Sequence, residues 1–115
     1  MTQNMNIKFE TSEENIEFYV AIMALGLLHS IKNKTLSSDI GIWSLGRPRF
    51  WNTLEKEKLI SKELLSIIQT LDELSTIEEL SLSFDKEIDK LIDRINLCLK
   101  KVNKRNSYIM DSKII

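Results

Sequence analysis

Residues Phe18 to Leu28 (FYVAIMALGLL) form an unbroken apolar run of eleven side chains. A helix needs about 20 such residues to span a bilayer, so the run has to be buried by the rest of the chain. Its apolar positions recur at helical spacing. Ile16, Tyr19, Val20, Met23, Leu27 and Ile31 make one face, while Phe18, Ala21, Ile22, Ala24, Leu25 and Leu28 wrap nearly all the way round. A helix that apolar on every side is normally the buried centre of a bundle. Thr11-Ser12-Glu13-Glu14 reads as a capping box opening this helix, and Asn33 as its stop, giving a predicted span of 12–32. Gly26 inside it costs about 1 kcal/mol against alanine, which argues for a close backbone crossing there.

The remaining elements must supply the neighbours. Ser38-Asp39 starts a short helix that Gly46 ends, and Pro48 sits at the first position of the next, running to about Lys58. Ser61 caps a helix reaching about Glu73, with Leu64, Leu65, Ile67, Ile68 and Leu71 inward. Ser75-Thr76-Ile77-Glu78 reads as a second capping box, opening a helical turn through Leu80. The clearest periodicity comes last: Phe84, Ile88, Leu91, Ile92, Ile95, Leu99 and Val102 define a helix over 84–104, capped by Ser83. Met5, Ile7 and Phe9 alternate with polar residues, so 1–10 is expected as a strand or extended arm. Residues 107–115 form either a frayed tail or an apolar arm that folds back. The expected architecture is all-α: one domain over 1–115, a helical bundle of four to six helices with room for short extended segments at both ends.

Composition narrows the function classes. Sixteen basic against seventeen acidic residues leave a formal charge of −1, with no basic excess of the kind nucleic-acid binding requires. The single histidine, His29, and the single cysteine, Cys98, cannot assemble a metal site between them. Gly26, Gly41 and Gly46 do not form a phosphate loop. His29 lies one turn before a helix end, where the dipole accommodates it structurally, with a contact or pH-sensitive role as the alternative. Cys98 falls on the stripe Leu91, Ile95, Cys98, Val102 and reads as a small buried hydrophobe. Asp85, Asp89 and Asp93 are spaced four apart, as surface acids on one helix face are. No catalytic, cofactor-binding or metal-binding residue is expected. A lone cysteine without an apolar leader fits a reducing cytoplasm.

Two surface clusters stand out. From Asp72 to Asp93, eight acids against two bases leave a local balance of −6, and Asp72, Glu73, Glu78 and Glu79 lead that segment. The segment from Arg94 to Arg105 holds five bases and no acid. Such a gradient either complements helix dipoles or prepares an acidic face for a basic partner. The second cluster is Trp43, Arg47, Arg49, Phe50 and Trp51 at a helix–helix corner. Tryptophan and arginine are enriched in binding hot spots, although the same aromatics can simply plug the corner.

The runs Ala24-Leu25-Gly26-Leu27-Leu28, Lys32-Asn33 and Ser38-Asp39-Ile40 resemble a family of bacterial proteins of about this length, domain-of-unknown-function family 3969. Pro48-Arg49, Ser61-Lys62-Glu63-Leu64, Ile67-Ile68, Asp72-Glu73-Leu74 and Ile77-Glu78-Glu79-Leu80 extend the resemblance over residues 16–80. The resemblance implies no catalytic residues, and none is carried over.

Together these readings favour a non-enzymatic, cytoplasmic protein-binding module. The first expectation is an immunity or antitoxin-type protein that blocks a bacterial toxin, with a basic toxin domain such as a nuclease as partner and no nucleic acid or membrane. The alternative is a helical adaptor or regulator acting through self-association, as monomer or homodimer. The core assignment is testable directly. Leu25→Asp and Ile95→Asp should each unfold the domain by placing an unpaired charge among apolar side chains. Cooperative unfolding of both soluble variants, followed by circular dichroism, would show the periodicity to be misassigned.

Overall fold

A computed structural model describes residues 5–41, 44–102 and 110–114. Strand β1 (Ile7–Thr11) leads through a 3-10 turn (Glu13–Asn15) into α1 (Ile16–Lys32). A second 3-10 turn (Ser38–Gly41) precedes α2 (Pro48–Lys56), α3 (Lys62–Leu71), α4 (Leu74–Leu80) and α5 (Phe84–Val102), and β2 (Met110–Ile114) closes the described chain. The fold is therefore predominantly helical but not strictly all-α. β1 and β2 form an antiparallel two-stranded ribbon, with Ile7 opposite Ile114, Phe9 opposite Ser112 and Thr11 opposite Met110. The end of the chain does fold back, and it does so onto the extended arm at the start.

The core lies between α1, α3 and α5. Ala21, Ala24 and Leu28 of α1 are wholly buried, and the alanines let the long helices approach closely. α5 contributes Ile88, Leu91, Ile92, Ile95, Cys98 and Val102, and α3 contributes Leu64, Ile67, Ile68 and Leu71. Val20 and Ile31 of α1, Leu54 of α2 and Leu74 of α4 are buried with them. Exposed ion pairs join the same helices: Lys32 to Asp89 at 2.5 Å between α1 and α5, and Arg94 to Glu63 at 2.6 Å between α5 and α3. Glu17 of α1 accepts a hydrogen bond from the backbone N–H of Ser61. Pairs this exposed are screened by water and orient their helices more than they stabilise them.

Several local expectations are corrected. α1 is buried along one stripe, not all round. Ile22 is 42% and Met23 40% exposed, Leu25 and Leu27 are half-buried, and His29 is exposed. α2 packs on α3 and α4 on the second 3-10 turn, so among the described residues neither short helix covers the far side of α1. Gly26 is exposed, and a Cβ built there meets nothing within 4 Å, so it makes no close crossing. Leu25→Asp should accordingly cost less than Ile95→Asp, whose site is wholly buried. Neither capping box forms: Thr11 ends β1, and Ser75 lies inside α4, whose N-cap is Glu73. Asn15 is buried at the N-cap of α1 with neither side-chain amide atom hydrogen-bonded among the described residues. The Ser61 cap does form, its hydroxyl accepting from the Leu64 N–H at 3.2 Å, and Pro48 opens α2. Lys34 (φ 61°) and Lys58 (φ 52°) take the left-handed positions after α1 and α2 where glycine is usual.

The two other glycines are where space runs out. A Cβ on Gly46 would lie 2.6 Å from the backbone N of Asp72 and 2.8 Å from the Leu71 carbonyl carbon. One on Gly41 would run into the Leu71 carbonyl. These glycines sit directly against the α3–α4 junction. Gly41→Ala and Gly46→Ala should each lower stability by about 1–3 kcal/mol, as overpacking against backbone does. Gly26→Ala, exposed in mid-helix, should raise it by up to about 1 kcal/mol. Urea unfolding followed at the helical signal measures all three, and the reverse order would contradict this packing.

Candidate functional site

α3 ends at Leu71, and Asp72 takes its C-cap position, donating its backbone N–H to the Gln69 carbonyl at 3.2 Å. The chain turns at once into α4, which places Glu73 at the junction, exposed, and Glu78 and Glu79 on the outer side of α4. Asp72 itself is half-buried beneath Gly46. The Ser38 hydroxyl donates to the Glu78 carboxylate at 3.0 Å, tying α4 to the second 3-10 turn. Of the four leading acids, Glu73 and Glu79 are thus presented to solvent, Glu78 is steered by Ser38, and Asp72 is partly withdrawn.

The arginine corner lies beside them, because the glycine contact sets residue 46 against Asp72. Arg47 and Arg49 are exposed and border a shallow depression with Ser44 and Phe50. Trp51 is half-buried, and its indole N–H donates to the Gly46 carbonyl at 3.1 Å. It therefore fastens the corner, a packing role in place of the exposed contact role considered for it. Trp43 lies outside the described residues. The two clusters read separately from the sequence are brought together at one end of α3.

The contacts missing from the sequence reading are apolar. Leu80, the last residue of α4, is 82% exposed, and Leu82, on the connection to α5, is fully so. A groove bordered by Glu73, Thr76, Ile77, Leu80, Ser81 and Glu87 runs beside them. Leu82 falls where one helical period stops and the next has not begun, with only charged residues at i±3 and i±4, so nothing assigns it to a face. A leucine between two helix caps is the signal that was available. Ile22, Met23, Met5, Ile7 and Phe9 are likewise exposed on α1 and the ribbon.

No group of three His, Cys, Asp or Glu among the described residues is placed to hold a metal ion. Asp89, central in the i,i+4 acidic series, is engaged by Lys32, whose ammonium is held above its ordinary value by that bond. Arg94 holds the Glu63 carboxyl below the usual carboxylate range. Cys98 is 3% exposed, and burial pushes its thiol up, with Glu17 and Glu63 adding in the same direction. No helix among the described residues is long and apolar enough to cross a membrane.

A family model described as "Protein of unknown function (DUF3969)" matches residues 11–114. The chain belongs to that family. The match extends beyond residues 16–80 to take in all of α5 and β2, so the family covers the whole helical core. No curated protein and no solved structure matches the chain.

Cys98 gives the check on this geometry. At pH 8 the native protein should react with a thiol reagent orders of magnitude more slowly than in denaturant, because the thiolate is disfavoured and enclosed. Labelling at the unfolded rate in native buffer would show that the α5 stripe is open.

Proposed function

We propose that this chain is a protein-binding module of the immunity or antitoxin type, acting in the cytoplasm by occluding a basic toxin domain. The observation that carries the reading is the exposure of Leu80 and Leu82 with Glu73, Glu78, Glu79, Asp85 and Glu87 close by in the chain. Exposed leucines flanked by acids match the anatomy of a binding surface, an apolar centre with a charged rim. The acids attract and orient a basic partner, raising the association rate, and the leucines hold it once docked. The rim of a nuclease active site, basic because it grips phosphate, has the complementary character. Arg49, exposed on the corner that Gly46 sets against Asp72, is a further contact candidate for acids on the same partner. A second reading, a helical adaptor or regulator acting through self-association, is favoured by the uncovered side of α1 and the ribbon.

The partner surface is testable with a toxin domain encoded beside this chain, using calorimetric titration. Reversing Asp72, Glu73, Glu78 and Glu79 to lysine should keep the helical spectrum while weakening binding at least about a hundredfold, mostly through the association rate. Leu80→Ala with Leu82→Ala should weaken it about tenfold or more through dissociation. Added salt should weaken the wild-type complex and have far less effect on the charge-reversed protein. Unchanged affinity in both variants would move the interface away from the α4–α5 connection.

A further inference from the structure

The ribbon is the least supported part of the molecule. A two-stranded ribbon is marginal in water unless a third strand or a packed face supports it. Here Ile7, Lys8, Phe9 and Glu10 are all exposed, so neither face of β1 is covered. Phe9 and Thr11 stand over an apolar hollow lined by Ile16, Tyr19, Val20, Ile22 and Met23 of α1. Within the ribbon the register is electrostatically poor: Lys8 lies opposite Lys113, and Glu10 opposite Asp111. Like charges directly across a ladder are destabilising. Lys8 and Glu10 offset part of this by meeting each other along the strand at 2.8 Å, in a pair open to solvent. β2 occupies one edge of β1, and no other described strand occupies the second.

The sequence of β1, Ile7-Lys8-Phe9-Glu10-Thr11, is charge-complementary to its own reverse. Edge strands that avoid association carry like charges or a lone lysine, so that a second copy is repelled. Here the two charges are opposite and symmetric about Phe9.

We propose that β1 pairs antiparallel with β1 of a second copy about a two-fold axis at Phe9, forming a four-stranded sheet in the order β2-β1-β1-β2. Lys8 then faces Glu10 of the second copy, and Glu10 faces its Lys8. Each charge that meets a like charge from β2 gains an opposite one across the new ladder. Phe9 meets Phe9, an aromatic cross-strand pair on the same side as the hollow over α1. β2 has a similar symmetry about Ser112, with Asp111 and Lys113 flanking it, but its centre would pair two serines where β1 pairs two phenylalanines. The edge of β1 therefore has the stronger self-complement. The proposal stands independently of the toxin-binding reading, which uses the α4–α5 connection.

Sedimentation equilibrium tests it across micromolar to millimolar protein. The wild type should pass from 13.4 kDa to twice that mass with rising concentration. A constant 13.4 kDa overturns the proposal. Lys8→Glu alone and Glu10→Lys alone should each weaken self-association about ten- to a hundredfold, since both cross-copy pairs become repulsive. An equimolar mixture of the two variants should restore it, because two acids on one strand then face two lysines on the other. A pair confined to one chain could not be restored by mixing. Wild-type dimerisation by either single variant overturns the assignment to β1.

A second readout needs no change of charge. In a Cys98→Ala background, Phe9→Cys should form a covalent dimer under a mild oxidant, because residue 9 lies on the two-fold axis. Ser112→Cys should not. Covalent dimers through residue 112 and none through residue 9 would overturn the proposal in favour of the β2 edge.

Discussion

Everything else in this molecule hangs on the close contact of α1 with α5. Ala21 and Ala24 present almost no side chain where α1 packs on α5, and they are buried in one cluster with Leu28 of α1 and Ile88, Ile92 and Ile95 of α5. α3 completes the wedge with Leu64, Ile67, Ile68 and Leu71, a stripe one helical face wide. Close packing of this kind gains dispersion energy as well as removing apolar area from water, and it tolerates little change of volume. The short helices α2 and α4 are appended to α3, and their placement depends on two glycines with no room for a Cβ.

That geometry decides which surfaces are left. Three principal helices can bury only the facing stripe of each, so the far side of α1, with Ile22 and Met23, stays in solvent next to the ribbon. At the α3–α4 junction a different kind of surface arises, because Gly41 and Gly46 are pressed against Leu71 and Asp72, which sets the exposed Arg47 near the acids. Leu80 and Leu82 are exposed for a third reason. Leu80 ends α4 on its outer side, and Leu82 lies on the connection, outside both helical stripes. The proposed partner surface and the proposed self-association edge therefore use different elements, and occupying one need not obstruct the other.

Membership of a family covering residues 11–114 is in keeping with this division. The matched region takes in the whole helical core, all of β2 and the last residue of β1, so the chain-end pairing reaches into the family region as the bundle does. Among the described residues the chemistry-bearing side chains include Cys98, which is buried, and Glu63 and Asp89, which are engaged in ion pairs between helices.

What could be read from the sequence alone was local. Pro48 and Ser61 mark helix starts because their backbone and hydroxyl chemistry act within one turn, and α5 shows its core face because its period stays uniform for nineteen residues. The acidic run and the arginine corner were visible as composition. The capping boxes did not open their helices, because Thr11 fell at the end of β1 and Ser75 inside α4. Whether α1 would be enclosed, which glycine would be crowded, and how β1 and β2 would pair were decided by the tertiary structure. Burial needs two surfaces, and hydropathy describes only one of them. Gly26 and Gly46 are the same residue in the sequence, yet one faces open solvent and the other the backbone of a helix junction that only the folded chain brings there.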